Sequence, residues 1–285
     1  MIEVIAPGPL TTVQDLGRPG FASLGVGLSG AADRGALRLA NRLVGNAEDC
    51  AALEVTLGGL EARFTVATTI ALTGAPCPVQ VGGRPGFVNG PIRVAPGDRL
   101  VLGVPGRGLR TYLAVRGGID VPPVLGSRST DVLAGLGPPR VTAGTCLPVG
   151  GPAGPVPAVD LAPVAAVPEE FRLRTLPGPR ADWFTPAALA EFGSAAYEVS
   201  PESNRIGVRF EGPVLARVAD TELPSEGMVL GAVQVPPDGK PLLFLADHPV
   251  TGGYPVIGVV EPADLDLAAQ ARPGDRVSFR WAGVR

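Results

Sequence analysis

Glycine and proline punctuate this chain from end to end: 40 of the one and 32 of the other, about a quarter of the residues, lie scattered without a period between apolar runs. Long helices do not survive that density of breakers. Short strands joined by tight turns do, and β-favouring runs bounded by Gly, Pro or Asp recur throughout. They read Thr65 to Leu72, Pro78 to Val81, Arg99 to Val104, Thr111 to Val115, Gly207 to Phe210, Gly231 to Val235, Leu242 to Leu245, Val256 to Val260 and Arg276 to Trp281. Helical periodicity is rare. It is legible in Ala32 to Val44, where Ala36, Leu37, Ala40, Leu43 and Val44 share a face and Gly45 supplies a stop. A second helix is signalled by Thr185-Pro186 and closed by Gly193, and a third by Pro262 leading into Leu265 to Gln270. The expected architecture is a strand-rich barrel type with a few peripheral helices.

With 45% hydrophobic and only 18% charged residues, the chain has enough apolar surface to offset the entropy of ordering it. A length of 285 residues favours two modest domains. Residues 151–168 are dense in Pro and Ala with no usable period and mark a linker, separating a domain over 1–150 from one over 169–285. Two echoes across that boundary hint at duplication. Val79-Gln80-Val81 followed by Gly83-Arg84-Pro85 is matched by Val233-Gln234-Val235 followed by Gly239-Lys240-Pro241, and Pro96-Gly97-Asp98-Arg99 by Pro273-Gly274-Asp275-Arg276.

Several chemistries are excluded by scarcity. Basic residues number 24 against 27 acidic ones, without runs of like charge, so nothing attracts a nucleic-acid backbone in bulk. Lys240 is the only lysine and sits in the turn Asp238-Gly239-Lys240-Pro241, so there is no P-loop. Cys50, Cys77 and Cys146 are isolated and His248 is the only histidine, which argues against a protein-built zinc site. The cysteines read as small buried apolar residues. A nucleophilic triad would have to use His248. The opening Met1-Ile2-Glu3-Val4-Ile5 lacks the features of a secretory leader, and no run of 18 apolar residues follows; a cytoplasmic protein without membrane contact is expected.

Polar groups concentrate in a few glycine-flanked segments. Residues 11–20, Thr-Thr-Val-Gln-Asp-Leu-Gly-Arg-Pro-Gly, can present Gln14, Asp15 and Arg18 to an anionic or amide ligand, or form a turn in which Asp15 and Arg18 pair with each other. Ser29 to Asp33 opens the first helix, where anion binding and ordinary capping by Ser29 or Asp33 are both open. Glu54 is an acid in an apolar strand, a candidate proton handler if it faces inward and a solvated residue if outward. Arg116 to Asp120, Gly126 to Asp131, Ser203 to Arg205 and Ala246 to Pro255 place hydroxyls and charges on glycine-freed or turn backbone beside apolar strands, as binding loops or plain turns.

Taken in order, these segments resemble the family of the 5-oxoprolinase C subunit, also called allophanate hydrolase subunit 2, the second half of biotin-dependent carboxyltransferase domains. The likeness rests on nine motifs: residues 11–20, 30–33, 43–46, 53–58, 112–120, 126–131, 203–207, 233–236 and 251–255. It implies a mainly β fold of two cyclophilin-like β-barrel domains. It implies one subunit of an ATP-dependent 5-oxoprolinase, inactive alone, that opens the lactam of 5-oxoproline to glutamate with a sister cyclophilin-like subunit and a lactam-handling subunit, using ATP and Mg²⁺. Two alternatives share the scaffold. One is the carboxyltransferase component of a urea carboxylase, with biotin carried by a partner; the other is a non-enzymatic antagonist of a kinase-inhibitor barrel protein.

Each of these reactions must quiet negative charge developing on an amide, phosphoryl or carboxyl oxygen. The resemblance assigns acid–base or metal-water work to Asp15, Asp33, Glu54, Asp131 and Asp247. It assigns binding to Gln14, Arg18, Ser29, Arg116, Ser127, Thr130, Asn204, Arg205, Gln234, Thr251, Gly252, Gly253 and Tyr254. No metal ligand set is assigned. The chain departs from the family before Thr251: relatives carry a more polar run there, whereas this chain has Asp247-His248-Pro249-Val250, and Val256 stands where a basic residue is common.

Overall fold

A computed structural model describes residues 1–219 and 221–283, and these divide into two compact units. The first comprises residues 1–18, 29–131 and 135–167; the second comprises 19–28, 132–134, 168–219 and 221–283. The stretch expected to be a linker forms no helix or strand, and residues 150–167 cluster with the first unit. There Arg116 donates to the carbonyls of Gly154 and Pro155, and the Ala162 amide donates to Asn89 O.

The first unit begins with β1 (Ile2–Pro7) and β2 (Leu10–Gln14), followed by α1 (Arg34–Leu43). The remaining strands are β3 (Ala52–Thr56), β4 (Leu60–Phe64), β5 (Thr68–Gly74), β6 (Val79–Val81), β7 (Arg84–Pro85), β8 (Pro91–Val94), β9 (Arg99–Leu102), β10 (Arg110–Val115) and β11 (Cys146–Leu147). They form two sheets, in the orders β11-β1-β4-β9-β6-β7 and β2-β3-β10-β5-β8. Alternation along each strand explains the layering. Val13, Leu53, Val55, Leu72, Leu113 and Val115 of the second sheet meet Ile2, Val4, Leu60, Phe64, Leu100 and Leu102 of the first in one core. The intervening residues of the second sheet, Ala52, Ala71, Tyr112 and Ala114, face α1 and pack on Ala36, Leu37, Ala40 and Leu43. Alanine on both sides lets the helix lie close, and Thr73 Oγ1 donates to Ala36 O at 2.7 Å.

The second unit runs β12 (Glu170–Pro177), α2 (Pro186–Ser194), β13 (Ala196–Val199), β14 (Gly207–Glu211), β15 (Glu226–Gly227) and β16 (Ala232–Gln234). It continues with β17 (Leu242–Phe244), β18 (Thr251–Gly252), β19 (Val256–Val260), α3 (Pro262–Ala268) and β20 (Arg276–Trp281). Seven of these strands close a barrel in the order β12-β19-β16-β17-β14-β13-β20, and the parallel pair β12–β20 seals the ring. Period-two patterning fills it: Phe171, Leu173, Tyr197, Val199, Val277 and Phe279 point in, while Glu170, Arg172, Arg276 and Arg280 point out. Phe192 of α2 stacks on Phe279 with ring centroids 4.5 Å apart. The ribbon β15–β18 stands outside the ring.

The chain is mainly β, as expected. Some boundaries differ from the sequence reading for local reasons. α1 starts at Arg34, not Ala32, because Asp33 is its N-cap: the Asp33 carboxylate accepts from the Ala36 amide at 2.8 Å. β5 ends at Gly74, past Leu72, because antiparallel pairing with β10 carries it on. α3 stops at Ala268, short of Gln270. Cys50 and Cys77 are only half-buried and Cys146 is exposed, a correction to the buried reading; β11 is a two-residue edge strand that turns Leu147 in and Cys146 out.

The Pro-Gly-Asp echo is structural. In both turns the aspartate carboxylate accepts from the amide three residues earlier, Asp98 from Ala95 at 2.8 Å and Asp275 from Arg272 at 3.0 Å. Gly97 and Gly274 take φ of +90° and +88°, a backbone region that penalises side chains. Gly97 donates to Phe64 O and Gly274 to Val199 O, so β4–β9 and β13–β20 are joined to their turns alike.

Candidate functional site

In the first unit, a buried polar cluster grows from the loop after β2. The Asp15 carboxylate accepts four hydrogen bonds: from Gly17 N at 2.7 Å, Ser127 Oγ at 2.7 Å, Ser129 Oγ at 2.5 Å and Arg128 N at 2.6 Å. An acid saturated in this way by its own chain organises loops, binding residues 127–129 to 15–17. It does not pair with Arg18. That guanidinium is 1% exposed, donates to Ser129 O, and places Nη1 3.7 Å from Asp131 Oδ2. Gln14 donates to Thr12 Oγ1 at 3.0 Å and Thr130 O at 2.9 Å, leaving its buried Oε1 without a partner. Ser29 Oγ donates to the same Thr130 carbonyl at 3.3 Å, and Thr130 Oγ1 donates to Pro138 O.

Gly30 is required here. It adopts φ +93°, and a Cβ would lie 2.8 Å from Gly17 N, so any side chain would separate the 15–17 and 29–31 backbones. Their contact is sealed by Ala31 N donating to Asp15 O at 2.9 Å.

The register of the second sheet extends the cluster. Thr12, Glu54, Tyr112 and Thr73 are direct cross-strand partners on β2, β3, β10 and β5, a polar row on the face that carries α1. Glu54 is 1% exposed; its Oε2 accepts from Ala32 N at 3.0 Å and from the Tyr112 hydroxyl at 2.7 Å. Tyr112 in turn accepts from Asp33 N at 2.8 Å. Arg110 Nε lies 3.5 Å from Glu54 Oε1. Burial, then the Glu54 and Asp33 carboxylates, hold the Tyr112 phenol well above its ordinary range, so it stays a neutral donor. Glu54 thus faces inward, and the positive end of α1 is occupied by Asp33 and Glu54 of the chain itself.

Gln14, Asp15, Arg18, Ser29, Asp33, Glu54, Ser127, Thr130 and Asp131 therefore fall into one connected network. Arg116 does not join it. It donates to Val44 O at 2.9 Å, at the C-terminal end of α1, about 15 Å along the helix from Asp33 by the 1.5 Å rise per residue.

In the second unit Arg205 and Asp247 form a bidentate pair, Nε–Oδ2 and Nη2–Oδ1 both 2.9 Å, with the side chains 1% and 0% exposed. Asp247 Oδ2 also accepts from Val132 N at 3.1 Å. Asn204 closes a turn, its Oδ1 accepting from Ile206 N at 2.8 Å. His248 sits 5.9 Å from the Phe244 ring, with Nδ1 2.7 Å from Pro249 O. The Thr251 to Tyr254 segment is held by β15, to which β18 pairs, and by Gln234, whose Nε2 donates to Tyr254 O at 2.9 Å. A Cβ at Gly252 would lie 2.6 Å from that Nε2, so glycine is what lets the amide reach through. Gly253 and Tyr254 line a cavity of about 470 Å³.

Tyr112, Ser129, Arg110 and Arg217 are among the residues of these environments that escaped the sequence reading. Tyr112 and Ser129 lie inside quoted motifs, but only strand register and loop packing show their contacts. Arg217 belongs to no motif; it lines the cavity beside Tyr254.

A closed barrel and a helix-covered pair of sheets, with buried Arg–acid pairs and a saturated loop aspartate, define a mainly β protein whose polar groups are fixed by its own chain. The carboxyltransferase domain model, subdomain A and B, matches residues 24–281, and the chain belongs to that family. It is 40% identical to the C subunit of 5-oxoprolinase from Escherichia coli (strain K12) over 282 residues, covering 98% of this chain and 90% of that protein. With the C subunit of 5-oxoprolinase from Haemophilus influenzae it shares 34%, covering 100% and 92%. The urea amidolyase of Lachancea kluyveri is 38% identical, but the match spans 97% of this chain and 17% of that one. Among solved structures, the K. lactis urea amidolyase superposes with a TM-score of 0.90 at 33% identity over 98% of this chain and 18% of that one. TTHA0988 gives 0.89 at 37% over 98% and 55%, so the chain spans about half of that solved chain.

Proposed function

We propose that this chain is one subunit of an ATP-dependent 5-oxoprolinase, which opens the lactam of 5-oxoproline to glutamate and needs its partner subunits to do so. The observation that carries the reading is length. The likeness to the two 5-oxoprolinase proteins runs through nine-tenths of each, whereas the urea amidolyase match is a small part of a much longer chain. The expected partners are a sister cyclophilin-like subunit and a lactam-handling subunit.

The site chemistry fits a subunit that supplies fixed charge. All five candidate acids are engaged: Asp15 by four donors, Asp33 as a helix cap, Glu54 by Tyr112, Asp131 beside Arg18, Asp247 by Arg205. Such groups orient donors and cost no reorganisation as charge develops on a lactam oxygen. Among the described residues no group of three or more His, Cys, Asp or Glu could hold a metal ion. ATP and Mg²⁺ are assigned to the assembled complex on the likeness to the 5-oxoprolinase proteins. When bound, ATP would supply phosphorylation of the lactam oxygen, which opens the ring carbon to attack by water so that the C–N bond can break.

The test is reconstitution. Glutamate release from 5-oxoproline is expected only with ATP, Mg²⁺ and all partner subunits together; a complete complex without turnover sinks the reading. The second reading, a carboxyltransferase acting with a biotinylated partner, is favoured by the urea amidolyase relatives. Carboxyl transfer to urea from a carboxybiotin carrier, without 5-oxoproline turnover, would select it.

Among the described residues no helix is long and apolar enough to cross a membrane. The cytoplasm is the proposed location.

A further inference from the structure

The cavity beside Tyr254 lies wholly in the second unit and is built on the end of one barrel strand. The Gln234 side chain holds the Tyr254 carbonyl, and Val235, next along the chain, donates its N–H to Pro255 O at 3.0 Å and accepts from Arg217 Nη2 through its carbonyl. Both walls are thus tied to β16. The Arg217 backbone is fixed as well, since Ala216 O accepts from Thr185 N at 3.1 Å and Val218 N donates to Trp183 O at 2.8 Å. Loop groups carried by a rigid strand end are the usual construction of a binding site. The volume of about 470 Å³ falls inside the roughly 300–1,000 Å³ typical of small-molecule sites.

The lining selects a ligand class. Arg217 offers a donor-only planar fork suited to one carboxylate. Glu222, on the same cavity, opposes further negative charge and accepts from an N–H. Leu223 and Pro237 supply apolar contact. One cation, one anion and an apolar wall match a compact molecule with one carboxylate and one amide N–H, and disfavour a polyphosphate.

We propose that this cavity binds a small cyclic amide bearing a single carboxylate, with Arg217 as the specificity-determining residue that holds the carboxylate; the choice of 5-oxoproline as probe rests on the lactam-opening reading above. Calorimetric titration of 5-oxoproline, and of 2-pyrrolidinone as the same ring without the acid, into the full chain and into the reconstituted complex tests it. Arg217→Gln is expected to weaken 5-oxoproline binding about ten- to a hundredfold, the range of a lost charge-assisted hydrogen bond. It should leave the weak binding of 2-pyrrolidinone unchanged, and during turnover it should raise KM far more than it lowers kcat. Gly253→Leu is the second variant. Its Cβ meets only Leu223 O, at an ordinary 3.7 Å, so it fills the cavity with Arg217 intact and should abolish binding without lowering Tm; it decides the matter should Arg217→Gln fail to fold.

Binding by both variants equal to wild type, or no 5-oxoproline binding by the wild-type chain in either form, overturns the site. Arg217-dependent binding in a complex that releases no glutamate would remove the lactam-opening reading and keep the site. Turnover with unchanged KM in both variants would do the reverse.

Discussion

The two units carry the same Pro-Gly-Asp turn, leading into β9 in one and β20 in the other, yet they fill their interiors differently. The second closes its ring around Phe171, Tyr197, Phe210 and Phe279, with aromatic centroids 4.5 to 6.3 Å apart along the Phe192–Phe279, Phe279–Phe210 and Phe210–Tyr197 contacts. The first keeps an apolar core between its sheets and sets a second, polar interior under α1, where Glu54, Tyr112, Asp15 and Arg18 are all 8% exposed or less. An aromatic interior holds by area and shape, without directional demands. A buried polar interior holds only while every partner is present. The candidate site residues accordingly gather in the polar network of the first unit and on the loops of the second.

Substitutions that act on one kind of interior sharpen this contrast. The largest effect is expected from Phe279→Ala, which removes the centre of the aromatic cluster and should cost about 3–5 kcal/mol. Denaturant unfolding measures it, and hydrogen exchange should show the lost protection in the barrel strands. Asp15→Ala removes no apolar contact but strands four donors. A loss of about 3 kcal/mol is expected, the upper range for hydrogen bonds to a charged group, with amides of 127–131 exchanging fastest. Equal protection there in variant and wild type would erase the proposed difference between the interiors.

The smallest effect is expected from Tyr112→Phe, which keeps the ring and removes one hydroxyl between Glu54 and Asp33 N, at about 1–2 kcal/mol. Its pH dependence has a definite sign. Tyr112 is raised well above the ordinary phenol value in the folded chain, so the folded state keeps its proton where the unfolded state loses it. That contribution is full below about pH 10, the unfolded value, and declines as pH rises beyond it. Alkaline unfolding should therefore be shallower in the Phe variant; identical slopes would show that Tyr112 is not the group concerned.

Much of the fold was legible from local pattern. Thr185-Pro186 marks the start of α2 because a hydroxyl can cap and a proline lacks the donor that the first turn cannot use. Gly97 and Gly274 announce turns because their positive φ excludes side chains. The candidate site was legible only as residue types. Asp15 and Arg18 stand three apart and look like partners, yet Arg18 reaches Asp131 while Asp15 is taken by Ser127 and Ser129, more than a hundred residues away. Arg116 looks like the other polar residues of the glycine-flanked motifs, yet it caps the far end of α1.

By itself, the sequence determined where strands and turns fall, which faces are apolar, and that no P-loop is present, since these follow from residue type and spacing. Tertiary structure alone decided that Glu54 meets Tyr112, that Asp15 is a loop organiser, and that Arg217 shares a cavity with Tyr254. The reason is register: strand pairing and loop packing bring together groups distant in sequence, and a shift of one residue would send the same side chains to opposite faces of the sheet.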